Sequence, residues 1–572
     1  MDSKQKLKRF CFLGSFEPVY IYLRGSLKVE TYFPLVAELV KDINDSEFLP
    51  LMRELLHEVS LVRRDETLFV YAAYFASTVD IQWKTAMRHA FPVLIRTDDD
   101  LFLFCKYASL IGKDLNHKGF SRTVRKAVTA WYEMQTPEAI RTMWLAHRGL
   151  HGFTHKALIK LCHIPDRTVG SAEVVTPFFK TCTELIKDAE ASAVTAATVA
   201  VQPATSSNGM QATDSNANET EMVTVKTEVP EQKPLVKANS TESATPTSVV
   251  VAISKLRTTK KKHEAIKIIR KFKLPYTQVP GHLLRHPVIM EAVLPSMSYL
   301  QILKCWRKMA RFNHFDNPKI LKICQKMLEN KEFAKKSRVH PVHLLMSLRD
   351  IGVSDLSKIP TKRVEALKLE YLDKLYKDSF HWNTDGGNLR MHITVNLQSN
   401  YKKKMLKNHK RLSYYDACLA LSFGYSKRES KVDVFHWYED KMKLKKILFE
   451  KTYSTQLGFT SYDVVENQKN NQRLVTPILN ALSSEQVYDV FLCIVPTAGR
   501  GNPKQNSDFL CKFLDKYRET KNPNAKFIIL NLLKYKRSMT YSETRSENIL
   551  EICGLDEHTT DIIYNFATNR FD

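Results

Sequence analysis

The sequence predicts a mainly α protein, an α-solenoid of consecutive amphipathic helices, followed by a separate C-terminal α/β domain. Three observations carry this reading. Up to about residue 188, and again from Thr258, apolar residues recur at helical spacing in one segment after another, with short turns of Asn, Asp, Thr or Pro between them. Near Thr384-Asp385-Gly386-Gly387 the period changes, and short β-rich segments begin to alternate with helical ones. Between the helical stretches, from about 191 to 250, the composition shifts to Ser, Thr, Ala, Val and Asn without an aromatic residue, which predicts a disordered insertion. The expected division is 1–375 for the helical part and 376–572 for the α/β domain.

In chain order, PLVAELVKDI, FLPLMRELLHEVSLV, TLFVYAAYFAS and DDDLFLFCKYASLIGK read as helices. In the last, Asp98 to Asp100 put carboxylates where the helix dipole favours them. Consecutive amphipathic helices with short connections stack as antiparallel pairs. After the insertion come KKKHEAIKIIRKFKL, HPVIMEAVL, MSYLQILKCWRKMARF, NPKILKICQKMLEN and HPVHLLMSLRDIG. In the third of these Tyr299, Leu303 and Trp306 form the packing face, and Lys304, Arg307 and Lys308 point away. The segments LRMHITVNL, KVDVFHWYE, VYDVFLCIVP and AKFIILNLL are expected strands. They alternate with helices at YYDACLALSFGY, TPILNALSS and NSDFLCKFLDKYR, the pattern of βαβ units around a parallel sheet.

The chain of 572 residues carries a formal net charge of +25. The stretch 191–250 holds three lysines against six carboxylates, so the folded parts carry about +28. Charge of that size favours a polyanionic partner, nucleic acid ahead of an anionic membrane. No apolar run reaches the roughly 18 residues that span a bilayer, and the N-terminus lacks the apolar core of a signal peptide. Ten cysteines stand singly, with no C-x-x-C, which argues against a zinc ribbon or a disulfide framework and for a reducing compartment. Lys260-Lys-Lys-His263 suits a nuclear-import signal or a solvated helix start, and Val225-Lys226-Thr227-Glu228 fits a SUMO acceptor pattern.

The candidate binding stretch runs from Lys118 to Asp166 and reads as three short helices. In the first, Val124, Val128 and Trp131 make the packed line, with Arg122, Arg125 and Lys126 opposite. Thr136-Pro137 opens the second as N-cap and first-turn proline, and Gly149 is placed to end it. Thr154 caps the third, where Leu158, Leu161 and Cys162 are the expected buried stripe and Lys156, Lys160 and His163 the exposed line. Such a line suits a polyanion; the alternative is a solvated helix face.

Glycine-rich phosphate loops and nucleophile elbows are absent from the sequence. The sharpest enzyme hypothesis is a ribonuclease using His151, His155, Lys156 and His163 as acid and base. His155 and His163 lie eight residues apart on one helix, about 12 Å by rise, too far to act on one phosphate. The expectation is therefore a binding protein without enzymatic activity, with a protein-interaction solenoid for an acidic partner as the alternative.

RTVRKAVTAWY, GFTHKALIKLCHIP, KSRVHPVHLLMSL, ILEICGLDEHTTDIIYNF and LKRFCFLGS, in that family's order, resemble the Ro ribonucleoprotein autoantigen family of TROVE-domain proteins. The resemblance spans nearly the whole chain outside the insertion. It implies a ring of HEAT-like helical repeats, an α-solenoid closed on itself, plus a Rossmann-like von Willebrand factor A (vWA) domain. It also implies binding of small noncoding Y RNAs and of single-stranded ends of misfolded RNAs, in RNA quality control. It implies a cytoplasmic, also nuclear, monomer without a membrane partner, whose vWA-like domain is a surface for protein partners. His163 falls where the family has a histidine important for RNA binding. Two basic positions of the family fall on Ala146 and Leu150, with His147, Arg148 and His151 close by. The family of vWA metal sites uses D-x-S-x-S, a Thr and an Asp; here Asn396, Gln398, Asn400, Thr460 and Pro496 occupy those places. Neutral amides bind a hard cation poorly, so a metal-free scaffold is expected, with Glu439, Asp440 and Asp463 the only material for a rebuilt site.

Overall fold

The computed structural model describes residues 2–21, 27–57, 64–164, 246–351, 362–379, 388–398, 401–447, 473–496, 503–534 and 547–570, apart from 79, 118, 137–138, 140–142, 144–148, 260, 338, 363–364, 366, 402, 408, 410–411, 439–442 and 557. The helical array begins with α1 (Ser3–Leu13), followed by the short strand β1 (Val19–Ile21) and by α2 (Val29–Asp42), α3 (Asp45–His57), α4 (Arg64–Ser77), α5 (Ile81–Leu94), α6 (Asp98–Asp114), α7 (Arg122–Glu133) and α8 (His155–Cys162). Helix α4 is buried continuously from Glu66 to Phe75, as an apolar helix covered on all sides must be. It packs on α2 and α6, while α3 packs on α5 and α5 on α7, so alternate helices stack into two layers. Tyr71, Phe75, Phe91 and Phe104 lock the layers together, with Phe91 and Phe104 edge to face at 4.8 Å.

Helices resume earlier than Thr258. Helix α9 (Pro246–Thr258) starts inside the stretch assigned to the insertion, with proline at its first position and the apolar run VVVAI behind it. The rest of 191–250 lies outside the described residues. Then come α10 (Lys262–Phe272), α11 (Pro287–Val293), α12 (Tyr299–Arg311), α13 (Pro318–Leu328), α14 (Lys331–Lys336), α15 (Pro341–Ile351) and α16 (Leu369–Ser379). Tyr299, Leu303 and Trp306 are buried as the spacing predicts.

The α/β domain contains β2 (Arg390–Val395), α17 (Tyr414–Arg428), β3 (Lys431–Tyr438), β4 (Lys443–Ile447), α18 (Thr476–Ser483), β5 (Val490–Val495), α19 (Pro503–Thr520), β6 (Lys526–Asn531), β7 (Ile549–Cys553) and α20 (Thr559–Ala567). The sheet order is β1-β7-β6-β5-β2-β3-β4, parallel except for β4. Its alternation is visible in β5: Val490, Leu492 and Ile494 join the core shared with the helical array, whereas Phe491, Cys493 and Val495 join the core on the opposite face.

The sheet also takes in one strand from the N-terminal part of the chain. Strand β1, from a region read as wholly helical, pairs in parallel with β7, Val19 beside Glu551 and Ile21 beside Cys553. The Tyr20 hydroxyl donates to Asp556 at 2.7 Å in the buried joint. At the other end of the helical array, Arg349 of α15, 2% exposed, pairs with Asp416 of α17 at 3.0 Å. The array thus meets the α/β domain at both its ends, the closure that a ring requires.

Candidate nucleic-acid interface

The site is organised from beneath by the N-terminus of α6. Thr97 caps that helix, accepting from the Asp100 N–H at 3.1 Å. The three carboxylates behind it go to three partners. Asp100 accepts from Nε and Nη2 of Arg64, at 2.7 and 2.9 Å. Asp99 pairs with His151 Nε2 at 2.9 Å, and Asp98 lies 3.8 Å from His155 Nε2. One acidic run therefore ties α4, the turn before α8, and α8 itself to one helix end.

His155 is 1% exposed and belongs to the core. Its Nδ1 bonds the Tyr132 hydroxyl at 2.8 Å, and its ring stacks against Trp131 and lies tilted against Phe102. It therefore does not join the surface quartet drawn for a ribonuclease.

Leu150 and Phe153 exchange backbone hydrogen bonds at 3.0 and 2.8 Å around a two-residue turn. His151 (φ 51°) and Gly152 (φ 87°) are both left-handed, which makes it a type I′ turn. Gly149 is needed for space: a Cβ there would meet Thr154 Cγ2 at 2.8 Å and the Phe153 carbonyl at 2.9 Å. The Thr154 hydroxyl oxygen accepts the Ala157 N–H and starts α8. The helix ends at His163, whose φ of 53° and N–H bonds to the Ile159 and Lys160 carbonyls form a left-handed cap.

The outer face of α8 presents Lys156, Lys160 and His163, all exposed, along about 10 Å of helix axis. Helix α7 packs beside it and adds exposed Arg122 and Lys126. Two expectations need correction. Leu161 is not in the buried stripe; it is 49% exposed, and Ile159 and His155 take its place, because the inward face of this helix is turned toward α6 and α7. Arg125 is half-buried and its charge acts on the Cys162 thiol, so it lies under the face and not on it. Burial pushes Cys162 up to about 12, against the pull of Arg125, leaving an unreactive thiol. Thr136 accepts the Ala139 N–H at 3.2 Å, as an N-cap does, but the second helix, with His147 and Arg148, lies outside the described residues. The roles of Asp98 and Asp99 were missed, since nothing in a separation of more than fifty residues announces such contacts.

At the C-terminal ends of the parallel strands, the described residues at the expected metal position, Asn396, Gln398 and Pro496, carry no anionic side chain. Asn396 is buried, its Oδ1 accepting the Gln398 N–H at 3.3 Å, and Pro496, after β5, has no side-chain ligand atom. Asn400, Thr460, Glu439, Asp440 and Asp463 lie outside the described residues. The donors in view do not fit a hard divalent cation, and among the described residues no group of three or more His, Cys, Asp or Glu gathers to hold a metal.

Residues 390–567 match the family model described as the Ro60 vWA domain. The whole chain is similar in fold to the crystal structure of the Ro (RSR) protein of Deinococcus radiodurans, with a TM-score of 0.72 and 15% identity, over 99% of this chain and 100% of that one.

Proposed function

We propose that this chain, whose residues 390–567 match the Ro60 vWA domain and whose fold is similar to that of a Ro protein, is a member of the Ro family and an RNA-binding protein acting as part of a ribonucleoprotein. The observation that carries this is the cationic face of α7 and α8, where Arg122, Lys126, Lys156, Lys160 and His163 are all exposed. Phosphate contacts of this kind supply affinity without sequence readout. The ligands proposed are small noncoding Y RNAs and the single-stranded ends of misfolded noncoding RNAs, held for quality control in the cytoplasm. The face is proposed as a binding site and not a catalytic one, since His155 is buried and His151 is held by Asp99.

The test is the double variant Lys160→Glu with Arg148→Glu. RNA affinity is expected to fall below detection while the circular dichroism spectrum and melting temperature stay within error of the parent. Parent-like RNA affinity in a folded variant would move the site elsewhere.

A further inference from the structure

We infer that the joint formed by the start of α10, the turn before α11 and the C-terminal end of α12 is a second anion site, taking a backbone phosphate of RNA. This rests on the RNA-binding reading above and extends it to the other half of the helical array. Arg285 closes the single-turn segment Leu283–Arg285 and is exposed; its guanidinium carbon lies 5.9 Å from the centre of the Phe312 ring, at the end of α12. The Arg285 carbonyl bonds His314 Nε2 at 3.1 Å. His314 is wholly buried, its ring 5.9 Å from that of Phe312, and its Nδ1 has no protein partner. His286 follows Arg285 directly and leads into α11, which packs on α10.

The side-chain charges acting on His286 and His314 have one sign. Burial, then Lys262 and His282, holds His286 below the ordinary imidazole range. Burial, then His286 and Lys308, does the same to His314, against the Arg285 carbonyl, which favours protonation. Glu291 of α11 is engaged elsewhere, accepting from Asn317 at 3.1 Å and lying 3.7 Å from Arg270. A joint of three basic side chains and three imidazoles is relieved by an oxyanion, which also draws protons onto the histidines. Phe312 under the guanidinium restricts Arg285 and leaves its N–H groups for a planar, two-pronged contact with phosphate oxygens.

The experiment uses the full chain and the double variant Arg285→Ala with Lys308→Ala, both at or near the surface. With inorganic phosphate as probe, the NMR titration midpoint of His286 is expected to move upward in the parent and not in the variant. With a structured RNA bearing a single-stranded tail, the variant is expected to lose affinity about tenfold, and its salt slope to shrink by about 1.4, two contacts of about 0.7 each. An unmoved His286 midpoint, together with parent-like RNA affinity and slope in the variant, would overturn the inference while the proposed function stood. If the parent binds no RNA but phosphate still moves His286, the site stands as one for free phosphate and the RNA reading fails.

Discussion

His163 sits in the left-handed backbone region, at φ 53°, where a side chain with a Cβ costs about 1 kcal/mol. A helix end of this kind is ordinarily given to glycine. His163→Gly is therefore expected to stabilise the fold by about 0.5–1 kcal/mol while weakening RNA binding, whereas His163→Ala keeps the strain and loses the same affinity. Chemical denaturation and RNA titration on the two variants separate the roles; a glycine variant less stable than the alanine one would contradict this account of the cap. His155, on the same helix, is the reverse case. It is a core residue between Tyr132 and Asp98, and His155→Ala is expected to cost about 2–4 kcal/mol, read as a lowered denaturation midpoint. The two histidines look alike in sequence. Helical spacing places both near one basic line, and only the contacts with Phe102, Trp131 and Asp98 show that one of them turns inward.

Strands and helices were legible in proportion to their periodicity. Strands β2, β3, β5 and β6 are rich in β-forming residues, with long apolar runs in β5 and β6, and lie where the sequence puts them. Strand β4 (KLKKI) is a charged antiparallel edge strand without an apolar run, and β1 is three residues long, so neither carries a signal of its own. Strand β7 (ILEIC) runs directly into helix-like sequence and reads as part of it. Within the sheet, His392 is buried against Phe435, with ring centres 4.4 Å apart, and bonds Asn480 and Thr394 at 3.3 and 3.2 Å. Burial lowers its pKa from the usual 6.5 to about 4. Between those values the unfolded chain binds a proton that the fold does not, so stability falls as the pH drops from about 6.5 to about 4 and levels off below. The expected loss from this residue is on the order of 3 kcal/mol. Denaturant titrations at a series of pH values check it, and His392→Phe is expected to flatten the profile in that window.

At the scale of the whole molecule, the α/β domain joins the two ends of the helical array, through β1 on β7 and through Arg349 on Asp416. Removing one partner of a buried pair leaves the other charge uncompensated, so Arg349→Met is expected to cost about 3 kcal/mol. Deleting residues 2–21 is expected to lower the melting temperature further, since it removes β1 together with the Tyr20–Asp556 bond. Calorimetry reads both; an unchanged melting temperature in the deletion would contradict closure through β1. The general plan of helical array plus α/β domain was legible because it rests on period, whereas the closure through β1 was not, since it rests on three residues whose partners lie more than five hundred positions away.

The central claim is that the cationic face of α7 and α8 binds RNA through phosphate contacts. It is tested most directly by measuring the affinity of the purified full chain for a single-stranded RNA end across a salt series. About five cations in contact predict a slope near −3.5 in log affinity against log salt, so that fourfold more salt cuts affinity about a hundredfold. The variant Lys156→Glu with Lys160→Glu is expected to show a markedly shallower slope. Absence of RNA binding in the parent, or binding insensitive to salt and to that double substitution, would contradict the claim.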